Sequence, residues 1–72
     1  MFKTRDLFLA STLVLKGHSV QNHEREGNIC YFYFKDTEDL KNLVQGYLYD
    51  KITVSPVKFQ SAIKSVKTIV YS

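Results

Sequence analysis

The side chains with intrinsic chemical reactivity are few: one thiol, Cys30, and two imidazoles, His18 and His23. Cys30 sits mid-run between apolar neighbours, where a thiol packs as a small, inert hydrophobe rather than ionising to a nucleophile. His18 and His23 are five positions apart in a polar segment. No acid, base and nucleophile fall at a spacing that makes a pair or a triad. Glu24, Glu26 and Asp36 lie nearby without a metal-ligand pattern. One Cys with two His is also a poor supply for a structural zinc. Three scattered glycines build no phosphate loop. The parts for catalysis are missing, so the expectation is a non-enzymatic chain with no cofactor and no metal.

Binding chemistry is better supplied. The run Ile29-Cys30-Tyr31-Phe32-Tyr33-Phe34 reads as a strand, and side chains alternate across a strand. Cys30, Phe32 and Phe34 then face one way, toward a core. Ile29, Tyr31 and Tyr33 face the other, either a second buried layer or a surface that touches something. With Lys35 at the end of the run and Arg25 before it, Tyr31 and Tyr33 make an aromatic surface bordered by cations. Single-stranded nucleic acids are held in this way, bases on rings and phosphates on cations. Residues 25–34 are similar in outline to an RNA-recognition-motif strand, but the chain is too short for that fold and Glu26 interrupts the basic positions.

Charge adds a second, weaker pointer. Residues 1–50 hold six basic and seven acidic side chains, whereas 51–72 hold Lys51, Lys58, Lys64 and Lys67 and no acid. The net charge of +3 therefore comes from the C-terminal segment. Lys58, Lys64 and Lys67 are candidate phosphate contacts, although three lysines are also ordinary for a solvated helix face. Arginine, whose planar fork matches phosphate oxygens, occurs only as Arg5 and Arg25.

The elements that must position these groups follow from periodicity and end signals. Thr4 reads as an N-cap with Asp6 in the first turn, opening a helix from Arg5 to Lys16 that Gly17 closes. Its apolar residues cover nearly the whole circumference, relieved by Ser11 and Thr12, so it is buried on several sides. His18 to Glu26 reads as a solvent-facing edge strand, joined to the aromatic strand through the hairpin signal Gly27-Asn28. Asp36 or Thr37 caps the next helix, whose Leu40, Leu43, Val44, Tyr47 and Leu48 form one stripe. Gly46 within it costs ~1 kcal/mol against Ala unless close packing requires it. Ile52-Thr53-Val54 reads as a short strand, and Ser55-Pro56 starts a last helix running to about Tyr71.

The fold class read from this order is α+β, in one domain over residues 1–72: helix, β-hairpin, helix, short strand, helix, with a small antiparallel sheet packed on helices. A chain of 72 residues has a small core, and a single Cys allows no internal disulfide. Association is the remaining stabiliser, so a homo-oligomer, most simply a twofold dimer, is expected. Phe8, Leu9 and Leu13 on the all-round apolar helix are its candidate interface. No apolar run approaches the ~18 residues of a membrane span. The charged N-terminus lacks a secretory cleavage pattern, so a reducing, cytoplasmic setting is expected.

The opening Phe2-Lys3-Thr4-Arg5-Asp6-Leu7-Phe8-Leu9-Ala10 resembles a small uncharacterised domain family of bacterial and bacteriophage genomes, whose members begin F-x-T-x-D-L-x-L-A. The resemblance continues through Lys16-Gly17, the Phe32 and Phe34 strand with its following Asp, and Val54-Ser55-Pro56. It implies a fold and a mobile-element context, inside a host cell where a phage carries the gene, and no activity. Two functions stand as expectations: a dimeric module contacting nucleic acid through the hairpin and last helix, or a regulator or inhibitor that binds a host protein.

Overall fold

The computed structural model describes residues 1–71 and shows three helices on a three-stranded antiparallel sheet. The elements are β1 (Phe2–Thr4), α1 (Leu7–Leu15), β2 (Asn22–Glu26), β3 (Ile29–Phe34), α2 (Glu38–Leu48) and α3 (Pro56–Val70). The aromatic strand β3 is central, between β1 and β2. The α+β class and the hairpin are as the sequence implies. The third strand is not: it lies at Phe2–Thr4, while Ile52, Thr53 and Val54 pair with no strand. Both edges of β3 are already taken, by β1 with Phe2 opposite Phe34 and by β2 with Glu26 opposite Ile29. Residues 52–54 instead run beside α1, where the Lys16 ammonium donates to the Thr53 carbonyl at 3.2 Å.

Antiparallel partners point to the same side of a sheet. Phe2, Cys30, Phe32 and Phe34 share one face and enter the core, and Ile29, Tyr31 and Tyr33 are absent from it. The core closes with Leu9, Ala10 and Leu13 of α1, Leu40 of α2 and Val66 of α3, so all three helices pack on the same sheet face. Helix α1 lies at the centre of this layer, which explains its lack of a polar side. Ser11 and Thr12 do not relieve the burial as expected; they are among its most enclosed residues. Their hydroxyls donate to the Leu7 and Phe8 carbonyls at 2.8 Å each, the local bond that lets a small hydroxyl enter a core without an unpaired donor.

The helix ends follow two related schemes. Asp6, not Thr4, caps α1, its carboxylate accepting from the Phe8 and Leu9 amides at 2.9 and 3.1 Å. The Thr4 hydroxyl sits two residues earlier, at the end of β1, and accepts from the Asp6 amide. At the other end, Gly17 takes φ +99°, while its N–H reaches the Val14 carbonyl and that of His18 reaches Leu13. This paired closure favours glycine because its backbone is left-handed. Helix α2 ends in the same way, with Asp50 and Lys51 bonding Tyr47 and Gly46, but Asp50 carries the positive φ of 56°. Gly46 lies close to Ile52: a Cβ there would lie 2.7 Å from Ile52 Cδ1, so the Ile52 side chain would have to shift to admit one.

Two stability outcomes follow. Asp50→Gly should raise stability by about 0.5–1 kcal/mol in chemical denaturation, and Asp50→Val should lower it by at least ~1 kcal/mol. Gly46→Ala should destabilise despite its better helix propensity. Combining it with Ile52→Val, which removes Cδ1, should recover most of the loss, a coupling that the double-mutant cycle reads directly.

Candidate nucleic-acid interface

The outer sheet face is organised in rows across the strands. Lys3 of β1, Tyr33 of β3 and Asn22 of β2 are directly opposed in one row. Tyr31 and Glu24 form the next, and Ile29 and Glu26 the last before the turn. Both tyrosines are half-buried, flanked by neighbouring strands with their rings at the surface of the sheet. The Lys3 ammonium stands 4.3 Å from the Tyr31 ring centroid and 5.8 Å from that of Tyr33. A cation so placed is drawn to the negative face of the ring. Tyr33 raises the Lys3 pKa above its usual value against an opposing desolvation, with Glu24 and Tyr31 adding to the rise. Lys3 is thus held as a cation between two aromatic rings.

Lys3 was absent from the residues picked out in the sequence because it belongs to the strand that the sequence did not reveal. Lys35 lies exposed just beyond β3, on the chain end nearest the Tyr33 row. Arg25 requires a correction. It pairs with Cys30, on the face opposite Tyr31 and Tyr33, and its guanidinium donates to the Val70 carbonyl at the end of α3. Arg25 is therefore a tie between the hairpin and the last helix. A two-residue turn at Gly27-Asn28 fixes this register, since 26 must face 29 and 25 must face 30. That count was the signal available in the sequence.

The lysines of α3 are also separated from the tyrosines. Ala62 and Val66 turn α3 toward the core beneath the inner sheet face, and Lys58, Lys64 and Lys67 are exposed on the helix layer. Lys67 lies nine positions after Lys58, about two and a half helical turns, so the two sit on opposite flanks of the helix. No single cationic stripe results. Among the interface candidates, Leu9 and Leu13 are 6% and 0% exposed inside the domain's own core, which removes them as contact residues. Phe8 alone keeps an open side, 54% exposed and stacked on Phe59 with ring centroids 6.3 Å apart.

The other reactive groups occupy structural settings. His18 bonds the Asp39 carboxylate at 2.8 Å, joining the end of α1 to the first turn of α2. Cys30 is part-buried against the core. Among the described residues, no three His, Cys, Asp or Glu side chains gather to hold a metal ion, and no helix is long and apolar enough to cross a membrane.

These features define a small α+β domain with helices on one sheet face and an aromatic, cation-bearing face left open. Residues 1–72 match the family described as Domain of unknown function (DUF5659), and the chain belongs to it. That agrees with the uncharacterised family its opening motif resembles. Comparison with curated proteins and with solved structures gives no match.

The placement of Lys3 depends on the junction of β1 and α1. There the Tyr47 hydroxyl donates to the second oxygen of Asp6 at 3.1 Å. Burial first, then the bond to Asp6 and its negative charge, raise the Tyr47 pKa above the usual phenol value of 10.0. The folded state thus holds this proton more tightly than the unfolded chain. Its stabilising contribution is complete below about pH 10 and is lost as the pH rises toward the folded pKa. Thermal melts of the protein should show a steeper loss above pH 10 than those of Tyr47→Phe. Asp6→Ala should cost about 1 kcal/mol at neutral pH through the lost cap alone.

Proposed function

We propose that this domain binds single-stranded nucleic acid on the open face of its sheet. The observation that carries the reading is the adjacency, on uncovered strands, of Tyr31, Tyr33 and the Lys3 ammonium. Two rings two residues apart on a central strand offer successive stacking platforms. The Lys3 ammonium lies over these rings and Lys35 borders them at the Tyr33 end, where a backbone would find its phosphates. The β2 edge is exposed throughout, so a strand of nucleic acid can cross the sheet without meeting a helix. The α3 lysines and Arg25 take no part in this surface.

A second reading, a regulator of a host protein in a mobile-element setting, rests on a different patch. Phe59, on which Phe8 stacks, borders a groove of about 390 Å³ lined also by Thr12, Tyr47, Asp50, Ile52 and Val54. Exposed Val57 and Leu48 lie on the adjoining helices α3 and α2. On this second reading the same patch carries the twofold contact of a dimer. A solution mass near 8.4 kDa at high concentration, by light scattering, overturns that dimer.

The sheet-face reading is tested by anisotropy titration of labelled single-stranded oligonucleotides at low salt. Tyr31→Leu and Tyr33→Leu should each lose about 1–3 kcal/mol of affinity. The triple change of Lys58, Lys64 and Lys67 to Gln should leave affinity within about twofold apart from long-range charge. The logarithmic salt slope should be near −1.4, that of two phosphates on a single strand. Absence of binding at tens of micromolar protein overturns the reading.

A further inference from the structure

An acid in the middle of a nucleic-acid surface calls for an explanation, and Glu24 is such an acid. It lies directly across from Tyr31 on the outer face, so its side chain and the ring rise side by side from adjacent strands. Over the same ring, 4.3 Å from its centroid, stands the Lys3 ammonium. Tyr31 therefore has an acceptor beside it on β2 and a donor above it from β1. A phosphate is repelled by the first, whereas a base edge carrying both donors and an acceptor is matched by the pair.

Resting on the nucleic-acid reading above, we propose that the Tyr31 position is a guanine subsite, with Glu24 and Lys3 reading the Watson–Crick edge of the stacked base. Guanine presents O6, N1–H and the N2 amine in sequence along that edge. The two oxygens of Glu24 accept from N1–H and N2–H, and the ammonium, moved off the ring by the entering base, donates to O6. Uracil offers one donor between two acceptors, which sets carbonyl oxygens against the carboxylate. Adenine and cytosine each offer one donating amine and so half of the carboxylate bond. Single-stranded bases are selected through such edge contacts when their faces are stacked on aromatics. At the hairpin end of the face, Glu26 follows Glu24 in the next row.

The test uses fluorescein-labelled octamers with one central guanosine, inosine, adenosine or uridine in a uridine background, with deoxy counterparts in thymidine, titrated at low salt. A bidentate edge contact predicts guanosine binding at least about tenfold tighter than uridine, with inosine, which lacks the N2 amine, between them. In Glu24→Gln and Glu24→Ala, each checked for folding by circular dichroism, the ratio of guanosine to uridine affinity should fall toward one. Equal affinity for guanosine and uridine in the unaltered protein overturns the guanine subsite and leaves the sheet-face reading in place. Failure of every oligonucleotide to bind overturns both. Binding of a labelled arginine-rich peptide that Tyr31→Leu abolishes, without oligonucleotide binding, overturns both and assigns the acid–tyrosine pair to a basic protein partner.

Discussion

The shape of this domain follows from one constraint: its core is built on a single face of β3. Phe32 and Phe34 are almost wholly buried, and each helix contributes to covering them. The described residues form three helices, and α1 is consumed as the centre of the layer, touching sheet, α2 and α3 at once. Nothing is left to cover the other side of the strand. Because side chains alternate, burying the Phe set forces Tyr31 and Tyr33 outward, and the aromatic face is open by geometry. Tyrosine suits that situation, since its ring is apolar and its hydroxyl tolerates water.

The same constraint explains which parts of the structure were legible. Hairpin, α2 and α3 have strong local signals: a two-residue turn, a 3.6-residue stripe, a Ser-Pro start. The strand β1 has none, because three residues are too few for periodicity; it is defined by pairing with β3, a contact distant in sequence. Ile52-Thr53-Val54 has the composition of a strand without an available partner; Ile52 instead packs beside Gly46 of α2, and the Thr53 carbonyl accepts from Lys16. Composition also misled at Ser11 and Thr12, where polarity suggests exposure. Their hydroxyls return to the helix backbone, so burial leaves no donor unpaired.

The site divides along the same line. Tyr31 and Tyr33 were readable from alternation within one strand. Lys3 was not, because its position is a matter of register between strands. Arg25 was readable in principle, but only by counting through the turn. The basic last helix looked relevant in a linear reading because net charge carries no direction. Folding sends that charge to the helix layer, away from the tyrosines.

The edge strand β2 shows why the open face remains available. An exposed edge invites another strand to extend the sheet, which would bring a second chain beside Tyr31. Here β2 reads Asn-His-Glu-Arg-Glu, exposed at every position and charged where a pairing strand would lie. Self-pairing about a twofold at Glu24 would oppose two carboxylates, which is unfavourable for cross-strand neighbours. Moving the centre to Arg25 would oppose two guanidinium groups and bring Glu24 against Glu26, with the same result. The charges that blunt this edge therefore do two things at once. They keep the sheet at three strands, and Glu24, on the outer side, leaves an acceptor beside the aromatic ring that the closed core had pushed into solvent.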